Sequence, residues 1–251
     1  MQQQVLALPR RDDLHEFVEL ELLDLGVYGN ELLAQHLVQV GLAAQPVQRL
    51  LENVPIEGLV PRVQHAVRAG GLRAGQRVLV TGAGPIGLAV ALWARFMGAS
   101  DIIVSEPTAQ RRDLALSMGA TAVVQPGANL AEQFADIAGG PPDVLFECVG
   151  APGLIQQCIE IAPRRAMLVP VGVCEQPDTI LPFPALIKEL SIRFAIAYSR
   201  ADYETVIAMM AQGRIDASPM VTQVVSLDDM PAAFEALRAP SNQCKVLTRF
   251  K

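Results

Sequence analysis

"VLVTGAGPIGLAVALWARFMGASDIIVSE", residues 78–106, is the stretch whose reading decides the fold. A short aliphatic run leads into a turn with glycines at 82, 84 and 87. A long apolar segment with helical spacing follows, and then a second β-branched run that closes on one acid, Glu106. Strand, glycine turn, helix and strand in that order make a βαβ unit. Gly-x-Gly-x-x-Gly is weak evidence by itself, because glycines are common at turns; the strand before it and the helix after it supply the setting that its chemistry needs. There, Gly82 permits the tight turn, Gly84 lets the backbone approach a pyrophosphate, and Gly87 lets helix and sheet pack closely. Pro85 and Ile86 begin the helix, whose free N–H groups and positive dipole end favour phosphate. Glu106 is placed to accept hydrogen bonds from the adenosine ribose hydroxyls, and its carboxylate repels a 2′-phosphate, so the cofactor reads as NAD rather than NADP. S-adenosylmethionine, which also uses a glycine turn and an acid on the second strand, is the minor alternative.

The same alternation continues along the chain. β-branched or aliphatic runs occur at 77–81, 101–105, 121–124, 143–148, 166–171 and 192–197, and helical spacing at 85–97, 109–118, 130–137 and 152–161. Strands apolar on both faces and separated by helices predict a parallel sheet covered on both sides. The fold class is therefore α/β, a doubly wound six-stranded parallel Rossmann sheet. Gly98, Gly119 and the "GGPPD" of 139–143 sit where helices should stop. Residues 200–215 read as a helix, followed by a loop, a second helix at 227–239 and a closing strand at 244–250.

Composition narrows the partners. With 51% hydrophobic and 18% charged positions over 251 residues, the chain can bury a substantial core. Its net charge of -6 comes from mixed acids and bases without a basic stripe, which argues against nucleic acid. Apolar runs are broken before membrane-spanning length and the first residues lack a secretory pattern, so a cytoplasmic, membrane-free protein is expected. Cys148, Cys158, Cys174 and Cys244 are far apart, without a Cys-x-x-Cys pair, and read as buried small hydrophobes.

From His65 onward the residues resemble the coenzyme domain of the medium-chain, zinc-type alcohol dehydrogenase family. The similarity is carried by residues 65–121, by "DVLFECVGAPG", "VPVGV" and "IKELSIRF", and by the ending from "GRIDASPM" to "CKVLTRF". The "VSEPTAQRR" variant is most similar to members acting on secondary alcohols, diols and polyols, such as butanediol and sorbitol dehydrogenases. The resemblance implies further NAD contacts: Arg111 beside the adenosine, Val149 with Val171, Gly172 and Val173 along the ribose and nicotinamide, and Lys245 at the pyrophosphate. It also implies a homodimer or higher homo-oligomer, paired through the sixth strand. The final strand resembles one that closes against the family's catalytic domain.

The resemblance divides the chain into residues 1–64, a shortened remnant of the catalytic domain with its linker, residues 65–240, the NAD-binding domain, and residues 241–251, the closing strand. Zinc is expected for the family, where it polarises the alcohol oxygen so that hydride can leave the carbon. Its ligands are not found. "LGVYGNEL" at 25–32 echoes the family's ligand segment, but Tyr28 stands where the cysteine is expected and Asn30 where the proton-relay hydroxyl is. His15 and Glu16 lack the preceding glycine, and His36 and His65 have no partner at ligand spacing. A tyrosine–lysine mechanism finds no support, because the residues four after Tyr28, Tyr198 and Tyr203 are Leu32, Asp202 and Ile207. No catalytic or metal residue is assigned. Two functions follow as expectations: an NAD-dependent oxidoreductase acting on a secondary alcohol or polyol, or a catalytically silent NAD-binding module that lacks the zinc-bearing domain.

Overall fold

The computed structural model describes residues 59–237 and 243–249, which belong to a unit spanning Pro55–Lys251. Helix α1 (Leu59–Ala69) leads into β1 (Arg77–Thr81), α2 (Pro85–Phe96), β2 (Asp101–Ser105), α3 (Ala109–Ser117) and β3 (Ala122–Val124). The second half repeats the alternation with α4 (Leu130–Ala138), β4 (Val144–Glu147), α5 (Leu154–Ile161), β5 (Met167–Pro170), a short α6 (Pro182–Ile187) and β6 (Ser191–Ile192). All six strands are parallel, in the order β3-β2-β1-β4-β5-β6. This is the doubly wound order, in which the crevice between β1 and β4, where the winding reverses, opens at the carboxyl ends of the strands.

Side-chain alternation explains why both faces are covered. Val78, Val80, Ile102, Val104, Val144, Phe146 and Val169 enter one core with α1 and α2. Their neighbours Leu79, Ile103, Leu145 and Leu168 enter the opposite core with Phe134, Ile155 and Ile159 of α4 and α5. With a period of two, every central strand must be apolar at consecutive positions to fill both cores. Fully burying each of these side chains contributes about 1.5–3 kcal/mol. Glycines at 98, 119 and 139 adopt positive φ after α2, α3 and α4, as their positions in the sequence predict.

Three features differ from expectation. β6 is regular only at Ser191–Ile192, although Arg193 N–H still reaches the Leu168 carbonyl at 2.9 Å and Ala195 N–H the Pro170 carbonyl at 3.3 Å. The extended run thus follows β5 as anticipated, with a pairing too irregular to count as one ladder. After α7 (Arg200–Ala211) and a 3₁₀ turn (Ser218–Met220), the expected loop contains β7 (Val221–Ser226). Beyond α8 (Met230–Ala236), β8 (Lys245–Arg249) pairs with β7 in parallel to form a separate two-stranded sheet. The last strand therefore finds its partner within this unit. Cys148 and Cys158 are buried, whereas Cys174 and Cys244 are half-buried, so only the first pair behaves as core.

Candidate dinucleotide site

The glycine turn between β1 and α2 forms because no side chain fits two of its positions. Gly82 has φ of +89°, and a Cβ there would lie 2.7 Å from Val149 Cγ2. A Cβ on Gly87 would overlap the Gly82 carbonyl oxygen. Gly84 is different: no heavy atom lies within 4 Å of a Cβ built there. Its bare backbone faces open space at the start of α2, where Pro85 occupies the first turn, Ile86 follows half-buried, and no side chain caps the N–H groups. An unfilled concavity at an uncapped helix N-terminus suits a pyrophosphate.

Glu106 follows β2 with 4% of its surface exposed. One carboxylate oxygen accepts the Ala83 N–H at 2.8 Å and the other accepts the Thr108 N–H at 2.9 Å. Each oxygen keeps a second acceptor direction, so the pair can also take two ribose hydroxyls beside the glycine turn. Arg112 fixes this corner: its Nη1 donates to the Glu106 and Pro107 carbonyls, both at 2.8 Å. Arg111 is half-buried on α3. It and Lys245 of β8 both lie close enough to Cys244 for their charges to act on that thiol, against the burial that pushes it up to about 11. The fold thus brings Arg111 and Lys245 into one neighbourhood, around Cys244.

The other half of the site lies at the ends of β4 and β5. Val149 and Val173 are about half exposed, whereas Val171 is buried. The Val171 carbonyl accepts Arg62 Nη2 of α1 at 2.9 Å. A Cβ on Gly172 would meet Gly150 Cα at 2.7 Å, so the two loops are in backbone contact. The closely packed loops carry a residue that the sequence reading did not single out. Glu147, 1% exposed, accepts the N–H groups of Val149 and Gly150 at 2.7 and 2.9 Å. Burial is also the main reason the Cys148 and Cys158 thiols titrate high, Cys158 up to about 12, with the charge of Glu147 adding to it.

These residues fit a dinucleotide: an open glycine turn, a buried acid bonded to that turn, and two half-exposed valines on the next loops. They do not fit a zinc ion. Among the described residues no three His, Cys, Asp or Glu side chains gather closely enough to hold a metal. His15, Glu16, Tyr28, Asn30 and His36 lie outside the described residues, while His65 pairs with Asp202 at 3.3 Å.

Comparison with known proteins shows the family and the fold. The 2-dehydro-3-deoxy-L-galactonate 5-dehydrogenase of Pseudoalteromonas atlantica is 36% identical over 173 residues, 68% of this chain and 50% of the relative. The (R,R)-butanediol dehydrogenase of Bacillus subtilis is 34% identical over 188 residues, 74% of this chain and 54% of the relative. The crystal structure of 2R,3R-butanediol dehydrogenase from the same species superposes with a TM-score of 0.72 at 31% identity, covering 78% of this chain and 57% of that one. A Sinorhizobium meliloti protein described as a zinc-binding dehydrogenase and bound to NADP gives 0.70 at 29% identity, covering 77% and 58%. The chain spans about half the length of the curated relatives it matches. Residues 85–212, just over half of the chain, match the family described as zinc-binding dehydrogenase. The resemblance read from the sequence is thereby established, and the chain belongs to the zinc-binding dehydrogenase family.

Proposed function

We propose that this chain is an NAD-dependent oxidoreductase that moves hydride between a secondary alcohol or polyol and the cofactor. One observation carries the reading: the buried Glu106 carboxylate lies against the turn whose central glycine opens onto unfilled space. The bound nicotinamide supplies the hydride acceptor or donor. The chain's own residues bind and orient it. The turn of Gly82, Gly84, Pro85, Ile86 and Gly87 holds the pyrophosphate by backbone N–H groups, and Lys245 adds charge there. Glu106 takes the adenosine ribose hydroxyls with Arg111 beside it, and a carboxylate in that place disfavours NADP. Val149, Val171, Gly172 and Val173 line the ribose and nicotinamide, with the buried Val171 keeping only the second acceptor direction of its carbonyl for the ligand, since its N–H goes to Glu147 and its carbonyl already accepts Arg62.

The alcohol or polyol class is taken from relatives named for butanediol and sorbitol. Zinc is expected on family grounds alone, and the described residues offer it no ligand set. We also infer a cytoplasmic homodimer or higher homo-oligomer. No helix among the described residues is long and apolar enough to cross a membrane, and Phe194 and Ile196 beyond β6 are 68% and 66% exposed.

Calorimetric titration with NAD and NADP tests the reading, followed by NADH absorbance with diols and polyols, with and without added zinc. NAD is expected to bind more tightly than NADP, and Glu106→Ala to bring the two together. Failure to bind either nucleotide sinks the reading. Binding without turnover on any alcohol leaves the silent NAD-binding module in its place.

A further inference from the structure

Glu147 ends β4 with almost none of its surface in water, and charged side chains are seldom so buried without dedicated partners. Its partners here are backbone groups from two loops. The carboxylate accepts the Val149 and Gly150 N–H groups, while its main-chain carbonyl accepts the Val171 N–H at 2.8 Å and the Gly172 N–H at 2.9 Å. One residue therefore fixes the loop after β4 through its side chain and the loop after β5 through its backbone.

The loops leave no slack between them. A Cβ on Gly172 would lie 2.8 Å from the Val149 carbonyl carbon, and a Cβ on Gly150 would meet the Val173 backbone. Any shift of residues 149–150 is thus passed directly to residues 172–173. Val149 and Val173 are the two half-exposed apolar side chains of these loops, and Val149 Cγ2 lies against Gly82 of the glycine turn, at the carboxyl ends of the strands where the nicotinamide half of a dinucleotide would lie.

We propose that Glu147 is a positioning residue for the nicotinamide half of the cofactor. Its carboxylate clamps Val149 and Gly150 against Gly172, so that Val149 and Val173 present a fixed wall to the nicotinamide and its ribose. The assignment rests on the dinucleotide reading above and adds a division of labour within it. The adenosine and pyrophosphate half has anchors of its own, Glu106 and a turn whose Gly82 N–H is bonded to the Ser105 carbonyl at 2.8 Å, so that the turn, although Val149 also lies against Gly82, does not depend on Glu147 for its hydrogen bonds. Loosening Glu147 therefore weakens one end of the ligand and spares the other.

NAD and ADP-ribose, which lacks the nicotinamide, separate these ends. Both are titrated calorimetrically into the full chain, as wild type and as Glu147→Gln, Glu147→Asp and Glu147→Ala, with thermal melting recorded for each. The glutamine amide oxygen can accept the same two N–H groups, so Glu147→Gln should keep the NAD to ADP-ribose affinity ratio within about twofold. Aspartate is one methylene too short to reach both, and alanine removes the acceptor. Each should weaken NAD about tenfold while ADP-ribose stays within about twofold. If alanine prevents folding, the aspartate variant decides. An unchanged ratio in Glu147→Asp, or equal weakening of both ligands, overturns the assignment. A wild type that binds both ligands with equal affinity overturns it too, whereas a wild type that binds neither overturns the dinucleotide reading itself.

Discussion

Gly87 shows how far one missing methyl group shapes the site. A Cβ there would run into the Gly82 carbonyl oxygen, and Gly82 cannot retreat because its N–H is held by Ser105. Gly87→Ala must therefore push α2 off β1, and overpacking of this kind costs about 1–3 kcal/mol. A fall of several degrees in the melting temperature is expected, together with weaker NAD binding. Gly84→Ala should instead leave the melting temperature unchanged and weaken NAD alone, since its new methyl enters empty space. Equal melting temperatures for wild type and Gly87→Ala would refute the close-packed turn. The turn and Glu106 were readable in the sequence because they lie within one local unit. Glu147 and Arg112 were not, because their partners are set by how neighbouring strands and loops come together. The available signal was an acid inside the otherwise apolar "VLFECVG" of residues 144–150, where a buried charge demands an explanation.

At the scale of elements, α7 is joined to α1 through one buried acid. Ser199 caps α7 in a reciprocal capping box with Asp202, which is fully buried and paired with Arg68 at 2.9 Å and His65 at 3.3 Å. Burial by itself would raise the Asp202 carboxyl. The Ser199 hydrogen bonds and the charges of Arg68 and His65 outweigh it and hold the group below its ordinary value. A lowered folded-state value means that the carboxylate's contribution is complete above the unfolded value of about 3.9 and is lost as pH falls through the folded one. Asp202→Asn should therefore cost about 1–3 kcal/mol at neutral pH, with the two proteins converging in acid. Melting curves from pH 7 down to pH 3 check this, and a constant gap would refute the account. The helix around Asp202 was readable from its periodicity, but the helix it binds was not, since nothing local ties residue 202 to residue 65. β7 was read as a loop for a similar reason. "VTQVVS" is short and half polar, and it becomes a strand because β8 lies beside it.

For the whole molecule, the doubly wound parallel sheet was legible because apolar strands alternating with helices, joined by right-handed crossovers, leave few alternatives. Assembly is less constrained by local pattern. The edge beyond β6 presents Phe194 and Ile196, and neighbouring α6 exposes Phe183 and Leu186. An apolar edge of this kind is an adhesive surface unless another chain covers it. Phe194→Lys is expected to convert the assembly into a monomer in light-scattering measurements, with the melting transition of the unit retained. A wild type that is monomeric at every concentration would remove the assembly proposal.

The position of β1 has a further consequence, for the order of events during folding. β1 pairs with β2, which follows it closely, and with β4, where the Arg77 N–H meets the Asp143 carboxylate across 66 residues. As the chain leaves the ribosome, β1, β2 and β3 can associate early, since their crossovers are short. One flank of β1 then stays unpaired until residue 147 has emerged, and a long loop must close to protect it. The strand that carries the glycine turn thus waits longer for its second neighbour than β2, β4 or β5 does, and the nascent protein is most prone to mispairing in that interval.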